Sequence, residues 1–178
     1  MVYRIFVEKK KELAHEANSL YSELKNLLGI SSLTSVRILN RYDVENISEQ
    51  LFEDTIGSVF SEPQLDIATR ELKDAEGTVF AVEYLPGQFD QRADSAAQCI
   101  QIVSCGDRPL IRTAKVYVLG GELSAEDVAE IKSTLLTPLK RERRALICPK
   151  LSSWNMISPP KLLLSAAFAK RLTTSLPI

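Results

Sequence analysis

Apolar and polar positions along the first 139 residues fall into two successive rounds of the same pattern. Val2 to Val7 is an apolar run of strand length. Leu13, Ala17, Leu20, Leu24 and Leu27 then recur at three- and four-residue spacing, which predicts an amphipathic helix ended by Gly29. Val36 and Ile38 alternate with Arg37 and predict a second strand. Asn46-Ile-Ser-Glu49 has the form of a capping box, in which Asn46 accepts from a free backbone N–H while Glu49 reaches back. The helix it opens carries Ile47, Leu51, Phe52 and Ile56. Leu65 and Ile67 alternate in a short strand, and Glu71 to Gly77 reads as a polar linker.

The second round begins with a strand over Thr78 to Leu85. A helix follows over Arg92 to Val103, with Ala93, Ala96, Ala97 and Ile100 on one face and Asp90 as its cap. Arg112 to Leu119 is a strand. Ser124-Ala-Glu-Asp127 is a second capping box, opening a helix with Val128, Ile131 and Leu135. The expectation is therefore an α+β protein: a tandem pair of ferredoxin-like βαβ-type units forming one pseudo-two-fold domain. Residues 1–72 make the first half and 78–139 the second. Gln64 to Arg70 closes the first half, and the closing strand of the second falls near residues 141–148.

Composition changes this picture at one place. The 178 residues are 45% hydrophobic and 25% charged, ordinary globular values. The net charge of −1 gives no reason to expect a nucleic-acid partner. Yet residues 1–139 hold 14 Lys+Arg against 22 Asp+Glu, whereas residues 140–178 hold 8 Lys+Arg and the single acid Glu142. The only Trp, Trp154, also lies in that basic tail. Pro149, Pro159, Pro160 and Pro177 interrupt it, so it is expected to be mostly disordered. The longest apolar run there, Leu162 to Phe168, is too short to span a membrane. Three scattered cysteines without metal or CxxC spacing, and no signal peptide, fit a cytoplasmic protein.

The stretch Phe80 to Ile102, FAVEYLPGQFDQRADSAAQCIQI, joins a strand through a Pro-Gly turn and a dense polar tip to an Ala-rich helix. Together with MVYRIFVEKK at the start, the run Val36 to Val44 and the run Val59 to Gln64, it resembles the N-terminal domain of large single-chain phosphoribosylformylglycinamidine synthase (FGAM synthase). The resemblance covers about residues 1–139. It implies a domain similar to a fused pair of the small subunit that split versions of the enzyme carry as a dimer, with the dimer interface turned into an intrachain one that buries both sheets in one core. It also implies a parent enzyme of purine biosynthesis that uses ATP, Mg²⁺ and glutamine to convert formylglycinamide ribonucleotide to formylglycinamidine ribonucleotide. No cofactor is expected in this chain, which would dock the synthase and glutaminase domains and help to enclose the ammonia path. The competing expectation is an independent ferredoxin-like module that senses a small ligand or binds a partner.

After Leu139 the likeness fails. Codons can be chosen for Glu142 to Pro160 so that a neighbouring frame reads like the family continuation, Glu-Ala-Ser-Leu-Asp-Leu and onward. A reading-frame shift near Lys140 is the expectation that accounts for the charge break, with a lineage-specific basic tail as the alternative. Without its selected closing strand, Thr78 to Leu85 should present an open edge. Either an improvised strand at about 143–148 fills it, or the chain self-associates there.

Gln88, Phe89, Asp90, Gln91 and Arg92 are the candidate site: a tip that contacts a phosphate or a partner domain. The plainer expectation is that Gly87 makes a turn, Asp90 caps the helix and Arg92 pairs with Asp94 or Glu83. His15, beside Glu12 and Glu16, reads as solvated, and Cys99 as a buried, inert thiol. Gly120-Gly121 is a turn without phosphate-loop context, and Lys140 to Arg144 is a basic cluster.

Overall fold

The computed structural model describes residues 1–85, 87–135 and 145–149. The expectations for the remainder of the tail, disorder and the basic cluster at 140–144 included, lie outside the described residues. Strand β1 (Val2–Lys9) leads through a 3₁₀ turn, Lys11–Leu13, into helix α1 (His15–Asn26). Strand β2 (Ser35–Glu45), helix α2 (Glu49–Thr55), a π-helical turn (Ile56–Phe60) and strand β3 (Asp66–Thr69) complete the first half. The second half runs β4 (Thr78–Tyr84), α3 (Gln91–Ser104), β5 (Leu110–Gly120), α4 (Ala125–Leu135) and β6 (Ala145–Pro149). The fold is mixed α+β, as the hydrophobic pattern predicts.

Among the described residues six strands form one sheet in the order β3-β1-β2-β5-β4-β6, with antiparallel pairing throughout. In each half the third strand lies beside the first, and the first beside the second. The two second strands meet at the centre. The registers match as well. Val7 faces Asn40 and Glu8 faces Leu39; at one constant offset along the chain, Val82 faces Lys115 and Glu83 faces Ala114. The same offset carries Asn40 onto Lys115, and these two face each other in the central ladder. The halves therefore join edge to edge in a continuous sheet, which corrects the expectation of two sheets buried against each other. Strand β6 lies on the outer edge of β4, with Ala81 opposite Cys148. The improvised strand expected at 143–148 thus forms almost at that place.

Strand alternation decides the two faces. On one face Ile5, Val7, Tyr42, Val44 and Ile111 pack with Phe52 of α2, Phe60 and the α3 residues Ala93, Ala96, Ala97 and Ile100. On the same face Phe80, Tyr117 and Leu119 pack with Leu20 and Leu24 of α1 and Ile131 of α4. Both helix pairs thus bury their apolar stripes on one side. Phe52 is fully buried, stacked on Tyr3 at 5.1 Å and tilted against Phe60 at 5.6 Å.

The opposite face carries Phe6, Leu39, Ala81, Ala114, Val116 and Val118, a buried cluster to which none of the described helices contributes. The chain must cross from β3 at one edge to β4 beyond the centre, and it crosses here. Leu72 of that crossing packs on the cluster, and Arg37 Nη1 donates to the carbonyls of Lys73 and Asp74 at 3.0 and 2.9 Å. Arg37 is aimed by a two-pronged bond to Glu8, at 2.9 and 2.6 Å. That bond raises the Arg37 pKa despite partial burial.

Two helix starts differ in outcome. Ser124 and Asp127 form the reciprocal box, each side chain accepting from the other's backbone N–H at 3.1 Å. The first box does not form as expected. Ser48, not Asn46, caps α2, accepting from Leu51 N at 3.3 Å, and Asn46 instead turns the chain with φ 61°. Asn tolerates the left-handed region better than most residues, so its short polar side chain serves the turn.

Candidate docking site at the 87–92 tip

The described residues of the tip between β4 and α3 are hydrogen-bonded on both sides of Phe89. Gly87 adopts φ 89°, a conformation that favours glycine, and reverses the chain. Gln88 N donates to the Leu85 carbonyl at 2.9 Å, and Leu85 N donates back to Gln88 Oε1 at 3.1 Å. Asp90 has the expected cap role and a second one. Its Oδ1 accepts from Ala93 N at 3.0 Å, while its Oδ2 accepts from Thr113 N at 3.1 Å and Thr113 Oγ1 at 2.7 Å. One carboxylate thus ties the helix start to β5. Charge-assisted bonds of this kind are the stronger class.

Phe89 stands between these two locked residues and is 71% exposed. Beside it runs an open groove of about 440 Å³, lined by Gln88, Phe89, Asp90, the first turns of α3, Asn46 and the Arg108–Ile111 segment. Its floor is largely apolar, with Ala93, Ala97 and Ile111 buried and Leu110 44% exposed. Arg108 closes one side by pairing with Asp94 and also donates to the Asp94 carbonyl at 3.1 Å. The charges along the groove are thus taken up within the protein.

The five candidate residues do not act as one cluster. Gln88, Phe89 and Asp90 line the groove; Gln91 and Arg92 do not. Arg92 pairs with neither Asp94 nor Glu83, which corrects the plainer expectation. Arg108 takes Asp94 and Arg41 takes Glu83, while Arg92 Nη1 donates to the Tyr42 hydroxyl at 3.2 Å. Burial works against the Arg92 charge, but Tyr42, with Asp90 and Tyr84 nearby, outweighs it and holds the pKa above its ordinary value. Sequence reasoning missed Asn46 and Arg108 as groove residues. Asn46 reads as a cap, and the Arg108–Asp94 pair spans a loop whose return path has no local signal.

Chemically, the groove suits shape recognition. Among the described residues that line it there is no Ser, Cys, His or Lys, and both Asp90 oxygens are engaged. Among the described residues no group of three or more His, Cys, Asp or Glu is placed to hold a metal ion. Cys99 is exposed, which corrects its expected burial: α3 turns Ala96, Ala97 and Ile100 inward, and Cys99 falls on the outer side. A second hollow, about 510 Å³, lies between Thr34, Gly120 and the crossing segment at Glu76. The cation that lines it, Arg37, is already bound to Glu8 and to backbone carbonyls. Among the described residues no helix is long and apolar enough to cross a membrane.

No protein-family model matches the chain, and no curated protein matches it.

Proposed function

We propose that this chain is a docking domain of the FGAM synthase type, which organises the synthase and glutaminase domains of a purine-biosynthetic enzyme and helps to enclose the ammonia path between them. In this reading ATP and Mg²⁺ bind in the synthase part, and the reaction, conversion of formylglycinamide ribonucleotide to formylglycinamidine ribonucleotide with nitrogen from glutamine, takes place there. This reading assigns no cofactor to the chain itself. The observation that carries the reading is the matched register of β1–β2 and β4–β5 about the central Asn40–Lys115 pair. Two halves that repeat one register at a constant offset fit a fused pair of small subunits, joined here through a continuous sheet and not through stacked sheets. The sequence resemblance over about residues 1–139 supports the family reading, and the hydrogen-bonded tip with its neutralised groove supports a protein partner. Exposed Cys99 and Cys105 suit the reducing cytoplasm where such an enzyme works.

The test is association. A polypeptide of FGAM synthase that holds the synthase and glutaminase domains, with its own N-terminal domain removed, is mixed with this chain and followed by sedimentation velocity. A stoichiometric complex is expected. Two separate species at all concentrations up to about 100 μM, a range that includes weak transient contacts, would contradict the reading.

A further inference from the structure

We infer that Asp90 and Thr113 form a positioning tether that presents Phe89, already in its bound orientation, to an apolar socket on the partner protein. This rests on the docking reading above. An aromatic ring that is 71% exposed normally loses rotational and backbone freedom when it is buried in a partner. Here the backbone on both sides is hydrogen-bonded within the chain itself. On one side the reciprocal Gln88–Leu85 bonds close the turn. On the other, Asp90 accepts from Ala93 N, Thr113 N and Thr113 Oγ1.

The second Asp90 oxygen goes beyond what capping requires. A cap needs one acceptor for one free N–H at the helix start, and Oδ1 supplies it. Oδ2 instead binds β5, one of the two central strands of the sheet, so the tip is tied to the middle of the fold as well as to its own helix. Thr113 is 8% exposed and sits opposite Tyr42 in the β2–β5 ladder, deep enough that its hydroxyl stays aimed at Asp90. Interface residues that dominate binding are commonly aromatic anchors held in place beforehand, and Phe89 has both features. The partner surface is then an apolar pocket of phenyl size. Charge pairing is not required, because Asp94 and Arg108 beside Phe89 neutralise each other.

The experiment is a double-mutant cycle on the full chain, titrated against the synthase–glutaminase polypeptide described above. Phe89→Ala is expected to weaken binding about tenfold or more. Thr113→Val keeps the size and β-branching and removes only the hydroxyl bond; it is expected to weaken binding about threefold to tenfold. In the Phe89→Ala background, Thr113→Val should change binding by less than about twofold, because the tether then has no ring to present. Equal loss from Thr113→Val in both backgrounds would overturn the tether while leaving the docking reading intact, as would Phe89→Ala binding like the parent chain. Amide exchange at Ala93 and at position 113 checks that the variant folds and that the tip has loosened. Absence of any complex with the unaltered chain would overturn both the tether and the docking reading.

Discussion

The Arg41 guanidinium on β2 reaches over Ala114 of β5 to pair with the Glu83 carboxylate on β4, so the two halves share a largely buried ion pair across the central strands. The register makes this possible. Arg41 lies opposite Ala114, and Ala114 lies opposite Glu83, so the small side chain between them leaves a lane for the arginine. Arg41 also lies 3.1 Å from Asp43, through Nε in a contact that lacks hydrogen-bond alignment, and Arg4 grips the same Asp43.

Breaking this pair from one side leaves a buried charge short of a partner. Arg41, only 5% exposed, is the costlier partner to strand. Glu83→Gln should lower stability by about 1–3 kcal/mol, and Ala114→Leu, which blocks the lane, by a similar amount. Urea denaturation monitored by circular dichroism checks both. An unchanged midpoint for Glu83→Gln would mean that the pair contributes nothing to joining the halves.

Gly77 is expected to be irreplaceable at the entry to β4. Its φ is 101°, and an added Cβ would stand 2.2 Å from the Leu119 carbonyl oxygen. Gly77→Ala should therefore cost about 2 kcal/mol or more, since strain and clash act together against backbone that is already paired. Gly29→Ala is the control: it shares a positive φ but meets no atom within 4 Å, and it should cost about 1 kcal/mol. Equal melting temperatures for the two variants would contradict the close approach of Gly77 to β5.

Much of this architecture is legible in the chain because the deciding signals are local. The buried stripe Ala93, Ala96, Ala97 and Ile100 announces α3, and Asp90 and the Ser124–Asp127 box announce two helix starts. The second role of Asp90 is not legible, because Thr113 is distant in sequence and nothing near Asp90 points to it. Asn46 misleads for a related reason: Asn serves equally as a cap and as a left-handed turn residue, and only the position of Ser48 decides between them. The central β2–β5 junction is likewise invisible, since alternation within a strand says which side is buried but not which strand lies alongside.

Strand β6 gives a prediction about the sheet edge. It pairs with β4 from Ala145 to Pro149, so the backbone groups of β4 are covered by the chain itself. Truncation after Leu139 removes that cover, and the open β4 edge should then recruit another copy. Sedimentation velocity is expected to show dimers or larger species for the truncated chain and fewer for the full chain. A truncated chain that stays monomeric at the same concentrations would show that the β4 edge does not drive association.

The chain alone should turn over neither glutamine nor formylglycinamide ribonucleotide. The described lining of the tip groove holds no Ser, Thr, Cys or His, its carboxylates Asp90 and Asp94 are bonded within the protein, and among the described residues exposed Cys99 and Cys105 have no histidine in their hydrogen-bond or ion-pair contacts. Glutamate release from glutamine by the pure protein, above a blank, is the contrary outcome.

The central claim, that the paired halves act as a docking domain for an FGAM synthase, is tested most directly by adding the chain to the synthase–glutaminase polypeptide that lacks its own N-terminal domain and measuring glutamine-dependent synthase activity. A saturable rise in activity is expected as the chain is added, lost or shifted to about tenfold higher concentration by Phe89→Ala. A flat response over a concentration range in which both proteins are folded and soluble would contradict it.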